Sequence, residues 1–333
     1  MRQVAAQAGV SVSTVSRVLT DHPDVKEDTR QAVQTVIDSL GYRPSLLARG
    51  LILKRTNTLG LVVSDITNPF YPELAKGIEH AASERGWVVI VGDAERDGDR
   101  SDNHVDAMLE RAVDGIVFAS VTSHDQAVPR LVEVDYPVVL VNRRHLGVAT
   151  HHVVADNVLG GRMAVGHLAG LGHRRIGHLA GPSWAANAID REAGYVQGLR
   201  EARLEASEEL ISRGEFSAEG GAVAMRRLLA LAEPPSAVFA TNDLMALGAL
   251  EAIKDYGLRW PDDVAVVGFD DISLARSRLI ELSTISHRIY EMGTRAVEIL
   301  LQQVLDGPID PPIQEMLKPE LVVRGTCGGA PRA

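Results

Sequence analysis
A rhythm in the body of the chain restricts its fold more than any other feature. From residue 58 onward, strand-sized apolar runs recur at 59–63, 87–91, 115–119 and 137–141, and stretches with helical spacing separate them. A short apolar strand that alternates with helices is buried on both faces, which is the pattern of a parallel sheet covered by helices. A second series follows near 152–154, 176–180, 237–240 and 264–269. The expected fold class is therefore α/β, with a core of two doubly wound parallel-sheet subdomains behind a small all-α N-terminal segment. None of the runs approaches the roughly 20 residues of a membrane span, so no transmembrane helix is expected. The N-terminus lacks the pattern of a secretory signal, which predicts a cytoplasmic protein. The single cysteine, Cys327, excludes an intramolecular disulfide and a cysteine-built metal cluster; in its Gly-rich surroundings it reads as a solvent-facing thiol.

Net charge is −10 over 333 residues, which by itself argues against a nucleic-acid partner. Its distribution argues the other way. Residues 1–55 carry eight Lys or Arg against five acids, a local +3, and the remainder carries −13. A basic end on an acidic body is drawn to phosphate at that end alone.

That basic end reads as three short helices. Residues 4–8 form the first, Gly9 stops it, and Ser11 is placed to cap a second helix over 12–19. The small residues Ala5, Ala8 and Gly9 permit close approach, and Val4, Val10, Val15 and Leu19 supply the apolar face, as in a helix-turn-helix. Val12, Ser13, Thr14, Ser16 and Arg17 are then candidates for base-edge and phosphate contacts in a major groove. A third helix over 27–40 places Ala32, Val33, Val36, Ile37 and Leu40 on one face and stops at Gly41.

The segments Val4-Ala5, then Ala8-Gly9-Val10-Ser11-Val12-Ser13-Thr14-Val15-Ser16-Arg17-Val18-Leu19, and later Gly41-Tyr42-Arg43-Pro44 resemble the DNA-binding end of the lactose-repressor (LacI/GalR) family. The resemblance continues through Thr56-Asn57-Thr58-Leu59-Gly60, Asn68-Pro69-Phe70-Tyr71, Leu171-Gly172-His173-Arg174, Asn242-Asp243 and Val267-Gly268-Phe269-Asp270-Asp271, nearly the whole chain. Two departures stand in the head. Family members carry a few residues before the first helix, whereas Met1 is almost at its start here, so a true start upstream of Met1 is an expectation. Lys26 stands where the family has a capping Ser or Thr, and Asp24 with Glu27 is the expected substitute capping box.

The resemblance implies a domain plan: a DNA-binding head at 1–42, a hinge at 43–57, a core at 58–327 and a tail at 328–333. Within the core it implies an N-subdomain of about 58–155 and 284–312 and a C-subdomain of about 156–283 and 313–327. Pro44 can open a short hinge helix whose leucines have nothing local to cover them, so it should order only on DNA. In the family this helix pairs with its dimer mate in the minor groove, and a leucine matching Leu51 wedges into the central base step. Ala48 and Arg49 of the same segment join Leu51 as expected DNA contacts. Gly50 costs about 1 kcal/mol of helix relative to Ala, which keeps a plain flexible linker as the alternative.

Ligands of doubly wound folds sit at the carboxyl ends of the strands. Asn68, Phe70 and Tyr71 follow the first strand and Asn142 and Arg143 the fourth. Arg191 is expected to begin a helix, Phe216, Asn242 and Asp270 follow later strands, and His287 lies in a crossover. Positions matching these hold the effector in the family and in periplasmic sugar-binding proteins, which implies a sugar-like effector: aromatics pack on ring faces, and Asp270, Asn242 and Arg191 bond hydroxyls. Asn142 and His287 depart from the common Asp and Gln. For every polar member a structural hydrogen bond at a strand end is the plainer reading. Trp184 could line the cleft or serve the core or surface.

No G-x-S-x-G, G-x-x-x-x-G-K-[ST] or G-x-G-x-x-G motif is present in the required context, and the histidines have no zinc spacing. No enzyme, metal or cofactor is expected. The resemblance implies a repressor acting as a symmetric homodimer on a palindromic operator, with no membrane partner and, absent a terminal leucine heptad, no helical tetramer. A solute-binding protein for transport is the competing class, and residues 1–55 would be useless to it. A nucleoside or sugar hydrolase ranks third.

Overall fold
In the computed structural model, residues 1–19, 22–41, 55–94, 98–119, 121 and 125–329 are described. The chain divides into two compact units, Met1–Thr58 with Ala112–Asp114, and Leu59–Arg111 with Gly115–Ala333.

In the first unit, α1 (Arg2–Gln7) and α2 (Val12–Leu19) flank a turn in which Gly9 takes a positive φ of 64°, a conformation cheap only for glycine. Ser11 Oγ accepts the Thr14 N–H at 3.1 Å and so caps α2. α3 (Glu27–Ser39) closes a miniature core of Val4, Ala5, Val15, Val18, Val33 and Ile37, with Val10 and Leu19 only partly buried at its margin. The capping box expected of Asp24 and Glu27 does not form: Lys26 is the N-cap, and among the described residues no side chain bonds an N–H of the first turn of α3. Glu27 and Asp28 support that end through the helix dipole, and Glu27 also pairs with Arg30, Nε to Oε2 3.7 Å. The hinge contacts Ala48, Arg49 and Leu51 lie outside the described residues.

The second unit contains two sheets. The first runs β11 (Gln314–Leu317), β5 (His151–Ala155), β4 (Val138–Val141), β3 (Gly115–Phe118), β1 (Thr58–Val63), β2 (Val88–Asp93). The second runs β12 (Glu320–Val322), β10 (Ser283–Ser286), β9 (Ala265–Asp270), β8 (Ala237–Ala240), β6 (Ile176–Ala180), β7 (Ile211–Arg213). β12 pairs antiparallel with β10, while β9 and β10, and β5 and β11, pair parallel. The inner strands β3, β4, β6, β8 and β9 are buried throughout, as expected of strands covered on both faces.

Helices of the first half are α4 (Phe70–Ser83), α5 (Gly98–Glu110), α6 (Ala127–Glu133) and, returning late, α11 (Ile289–Asp306). Those of the second half are α7 (Asn157–Gly170), α8 (Ala186–Glu201), α9 (Ala218–Leu229) and α10 (Asp243–Asp255). α7 and α8 cross closely at Gly161 and Gly194, where a Cβ would come within 2.5 Å of the Arg191 carbonyl and 2.3 Å of the Val158 carbonyl. That approach fixes the depth of Arg191.

The strand pairing corrects the expected subdomain boundaries. β10 belongs to the second sheet and β11 to the first, so the crossovers fall after Ser286 and after Leu317 rather than at 284 and 313. Both strands are short segments between subdomains, and their apolar pattern does not encode which sheet they join. No helix among the described residues is long and apolar enough to cross a membrane.

Candidate functional site
Two sites emerge, one in each unit. On α2, Val15 and Val18 turn inward while Val12, Ser13 and Arg17 are exposed and Thr14 and Ser16 are half-buried. With a period of 3.6, residues 12, 13, 16 and 17 share one outward stripe. Val12 is 41% exposed although the head is short of core, which suits a side chain kept for a thymine methyl rather than for packing. The Ser11 hydroxyl lies 2.7 Å from that of Ser13 and 2.8 Å from that of Thr14, so the cap also orders the first polar side chains of the stripe.

The second site is a cleft at the carboxyl ends of the strands of both sheets, with about 480 Å³ of non-atom space, part of it open to solvent. Asn68, Phe70, Tyr71, Asn142, Arg143, Arg191, Phe216, Asn242 and Asp270 all line it. His287 does not. It is fully buried behind the wall, its ring stacked on Phe70 at 5.5 Å and its Nε2 3.2 Å from Asp270 Oδ1. That distance suits a hydrogen bond but the angle does not, and neither ring nitrogen has a hydrogen-bond partner. Ser64, Asp65, Trp184, Asn187 and Glu215 also line the cleft. Ser64 and Asp65 follow β1 directly and Glu215 precedes Phe216, so the strand-end rule could have found them. Asn187 and Trp184 required knowing how α8 enters the cleft.

The polar atoms are oriented by the backbone. Asn68 Oδ1 accepts the Phe70 N–H at 3.1 Å, and Asn242 Oδ1 caps α10 by accepting the Met245 N–H at 2.9 Å. Each amide must therefore turn its NH₂ the other way, so both are donors to whatever the cleft holds. Arg191 lies in the second turn of α8 rather than at its start, because the helix begins at Ala186. Its Nε donates to Asn157 Oδ1 at 2.8 Å, its Nη1 donates to the Thr241 carbonyl at 2.6 Å and stands 3.4 Å from Asp270 Oδ1, and its Nη2 is buried without a partner. The guanidinium carbon sits 3.7 Å over the Phe269 ring. Burial lowers the Arg191 pKa, opposed chiefly by Asp270.

Behind the site, Asp243 is sealed from solvent and its pKa is raised well above the usual carboxylate range, by burial first and by the Asp270 charge second. Thr284 Oγ1 and the Ile272 N–H donate to its two oxygens at 2.6 and 2.9 Å. The backbone carrying this wall is strained: Asp270 and Asp271 have φ of 120° and 61°, and Asn142 has 66°. Positive φ at non-glycine residues costs about 1–3 kcal/mol each and is usually kept where a side chain must be aimed.

The apolar surfaces are Phe70, Tyr71, Trp184 and Phe216. Phe216 meets Trp184 edge to face at 6.3 Å, and the Arg143 guanidinium lies 5.2 Å from both ring centroids. Phe216 reaches this place because residue 181 is glycine; a Cβ there would stand 2.7 Å from its ring. Ring faces flanked by planar hydrogen-bonding groups suit a neutral ligand with hydroxyls around an apolar ring face. Cys327 is not part of either site and is not solvent-facing: it is buried, with Sγ 3.2 Å from His167 Nε2 and accepting from Ser283 Oγ at 3.0 Å.

Residues 1–45 match the model of bacterial regulatory proteins of the lacI family, and residues 165–327 match a periplasmic binding protein-like domain. The HTH-type transcriptional repressor CytR of Escherichia coli (strain K12) is 34% identical, with 99% of this chain and 97% of the relative covered. Among solved structures, a transcriptional regulator CelR–cellobiose complex is 35% identical with a TM-score of 0.76, covering 97% of this chain and 98% of that one. A lac repressor dimer bound to operator and the anti-inducer ONPF has a TM-score of 0.85 at 28% identity, with 97% of both chains covered.

Proposed function
The chain belongs to the LacI family of bacterial regulatory proteins, and on that premise we propose that it is a repressor whose hold on its operator is set by a sugar-like effector bound between the two halves of its core. It is a DNA-binding transcription regulator, not an enzyme. The observation that carries the effector reading is the cleft lining itself: aromatic faces at Phe70, Trp184 and Phe216, amide donors aimed by the backbone at Asn68 and Asn242, and the Arg191–Asp270 pair with one guanidinium nitrogen unclaimed. Asn142, Arg143 and Tyr71 complete the contact set, and His287 acts through Phe70 and Asp270 rather than by touch. A relative of this fold has been solved with cellobiose, which supports a carbohydrate as the ligand class.

The reading head is α2, with Val12, Ser13, Thr14, Ser16 and Arg17 on DNA. One such head offers few base contacts, so a homodimer on a palindromic operator is the proposed working form. Leu279, 92% exposed on the core, offers an apolar side chain for a second copy to cover. Ala48, Arg49 and Leu51 would act at the centre of the operator, the hinge linking head and core. The place of action is the cytoplasm, on the nucleoid.

The test has two steps. An operator is selected from random duplex DNA by the purified protein, and a panel of mono- and disaccharides, with nucleosides as a contrast class, is screened for a rise in melting temperature. A sugar that raises the melting temperature should change operator affinity by about 5- to 150-fold, the usual range of allosteric coupling. A panel in which only nucleosides stabilise the protein sinks the sugar reading, and a stabilising sugar that leaves operator affinity unchanged sinks the coupling.

A further inference from the structure
Three consecutive residues after β4, Asn142, Arg143 and Arg144, all reach from the first half of the core to the second. Asn142 Oδ1 accepts from Asn187 Nδ2 at 3.4 Å, Arg143 lies against Trp184 and Phe216, and Arg144 meets Asp190 on α8. The first two line the cleft, so a ligand entering it competes with them. The third does not: neither Arg144 nor Asp190 lines the cleft, and they join through two parallel bonds, Nη1 to Oδ2 and Nη2 to Oδ1, the latter 3.2 Å long. Such a fork holds direction as well as charge. Both partners abut effector-site residues in sequence, Arg144 next to Arg143 and Asp190 next to Arg191. The bridge therefore ties together the two segments that must approach when the cleft closes.

We infer that Arg144 and Asp190 are a positioning pair, a latch outside the ligand site that sets how much of the protein has a closed cleft before any effector arrives. The inference deepens the sensor reading and rests on it for its consequence, because a pre-closed fraction scales apparent effector affinity in direct proportion. The side chains are 41% and 20% exposed, so the pair is partly hydrated and its strength is modest and salt-dependent. Measured exposed pairs correspond to roughly a two- to five-fold change in an equilibrium. A change of that size in cleft closure alters a response curve without abolishing it.

The experiment reads closure with no effector and no DNA present. Glu79→Cys on α4 and Gln197→Cys on α8, both exposed, carry a donor and an acceptor dye, while the buried Cys327 is kept. Labelled protein is diluted into excess unlabelled protein so that transfer within one chain is read. At low salt, Asp190→Asn and Arg144→Gln should each lower the closed-to-open ratio roughly two- to five-fold, and the double exchange Arg144→Asp with Asp190→Arg should restore it. Salt at about 1 M, which screens charges beyond about 3 Å, should open the wild type more than Asp190→Asn, which keeps the Arg276–Glu73 pair between the halves at 3.9 Å. Equal ratios for wild type and Asp190→Asn at low salt overturn the latch, as does a salt response of equal size in the two. A failed sugar screen would sink the sensor reading and leave these ratios standing, so the two failures are distinguishable.

Discussion
Arg191 and Asp270 form a buried ion pair, Nη1 to Oδ1 3.4 Å, with both side chains almost sealed from solvent. The guanidinium also serves Asn157 and the Thr241 carbonyl, whereas among the described residues the carboxylate has only Arg191 and, off-line, His287 within reach. Removing the cation therefore strands more than removing the anion does. Arg191→Met should cost about 3–5 kcal/mol in urea unfolding, the range for a buried charge left unpaired. Asp270→Asn keeps the shape and the other Arg191 bonds, and it relieves the repulsion that raises Asp243. It should cost clearly less, while weakening effector binding tenfold or more through the loss of a charged acceptor, worth about 1.5–3 kcal/mol. An Asp270→Asn variant less stable than Arg191→Met would contradict this account.

Gly181 governs the position of Phe216. A methyl group there would meet the Phe216 ring at 2.7 Å and Ala188 Cβ at 2.9 Å, closer than real contacts allow. The ring sits at the cleft wall and can tilt, so most of the strain should be relieved into the ligand site rather than the core. Gly181→Ala is expected to weaken effector binding about tenfold and to lower stability by about 1–3 kcal/mol, as overpacking does. Titration calorimetry and urea unfolding on the same variant measure both; full binding affinity would show that Phe216 is not a ligand platform.

Strand ends were legible because each short apolar run between helical stretches marks where a buried strand stops, and the residues at those ends, from Asn68 to Asp270, converge in a doubly wound fold. Contacts made sideways between the halves were not. Trp184 and Asn187 lie on the approach to α8, and the Arg144–Asp190 pair joins residues 46 apart whose spacing carries no period. Cys327 departs from its expected exposure for a related reason. Its Gly-rich neighbourhood looks solvated, yet Gly325–Cys327 forms a turn of 3-10 helix held by Thr326, which accepts the Ser283 N–H and donates to the Val266 carbonyl. His287 is expected among the ligand contacts because it matches an effector position of the family; its full burial and its stacking on Phe70 place it behind the wall instead.

In the head, Ser11 is the sole side chain bonded to the first turn of α2 among the described residues. Ser11→Ala should remove about 1 kcal/mol of cap and loosen the ordering of Ser13 and Thr14. Operator affinity is expected to fall a few-fold with effector affinity unchanged. Hydrogen exchange in α2 of the full-length protein should quicken by a similar factor. Unchanged exchange in α2 would mean that the cap is not holding the helix.

His178 gives the core a pH dependence of definite sign. The ring is fully buried in β6 between Tyr195 and Phe239, its Nδ1–H donates to the Phe239 carbonyl at 2.9 Å, and Nε2 has no partner. Burial in this stack holds its pKa down to about 4, against about 6.5 in an unfolded chain. Between those values the unfolded chain binds a proton that the folded one refuses, so stability is complete above about pH 6.5 and declines as pH falls toward 4. The slope is about 1.4 kcal/mol per pH unit, which gives roughly 2 kcal/mol between pH 7 and pH 5. Burial lowers His151, His152 and His173 as well, and they add slope of the same sign. His178→Gln, which retains a donor for the Phe239 carbonyl and cannot titrate, isolates the contribution. Urea unfolding at pH 7, 6 and 5 should find the variant less stable than wild type at pH 7, with the gap narrowing by roughly 2 kcal/mol at pH 5. A gap that stays constant with pH would mean that His178 takes up its proton equally in the folded and unfolded chain.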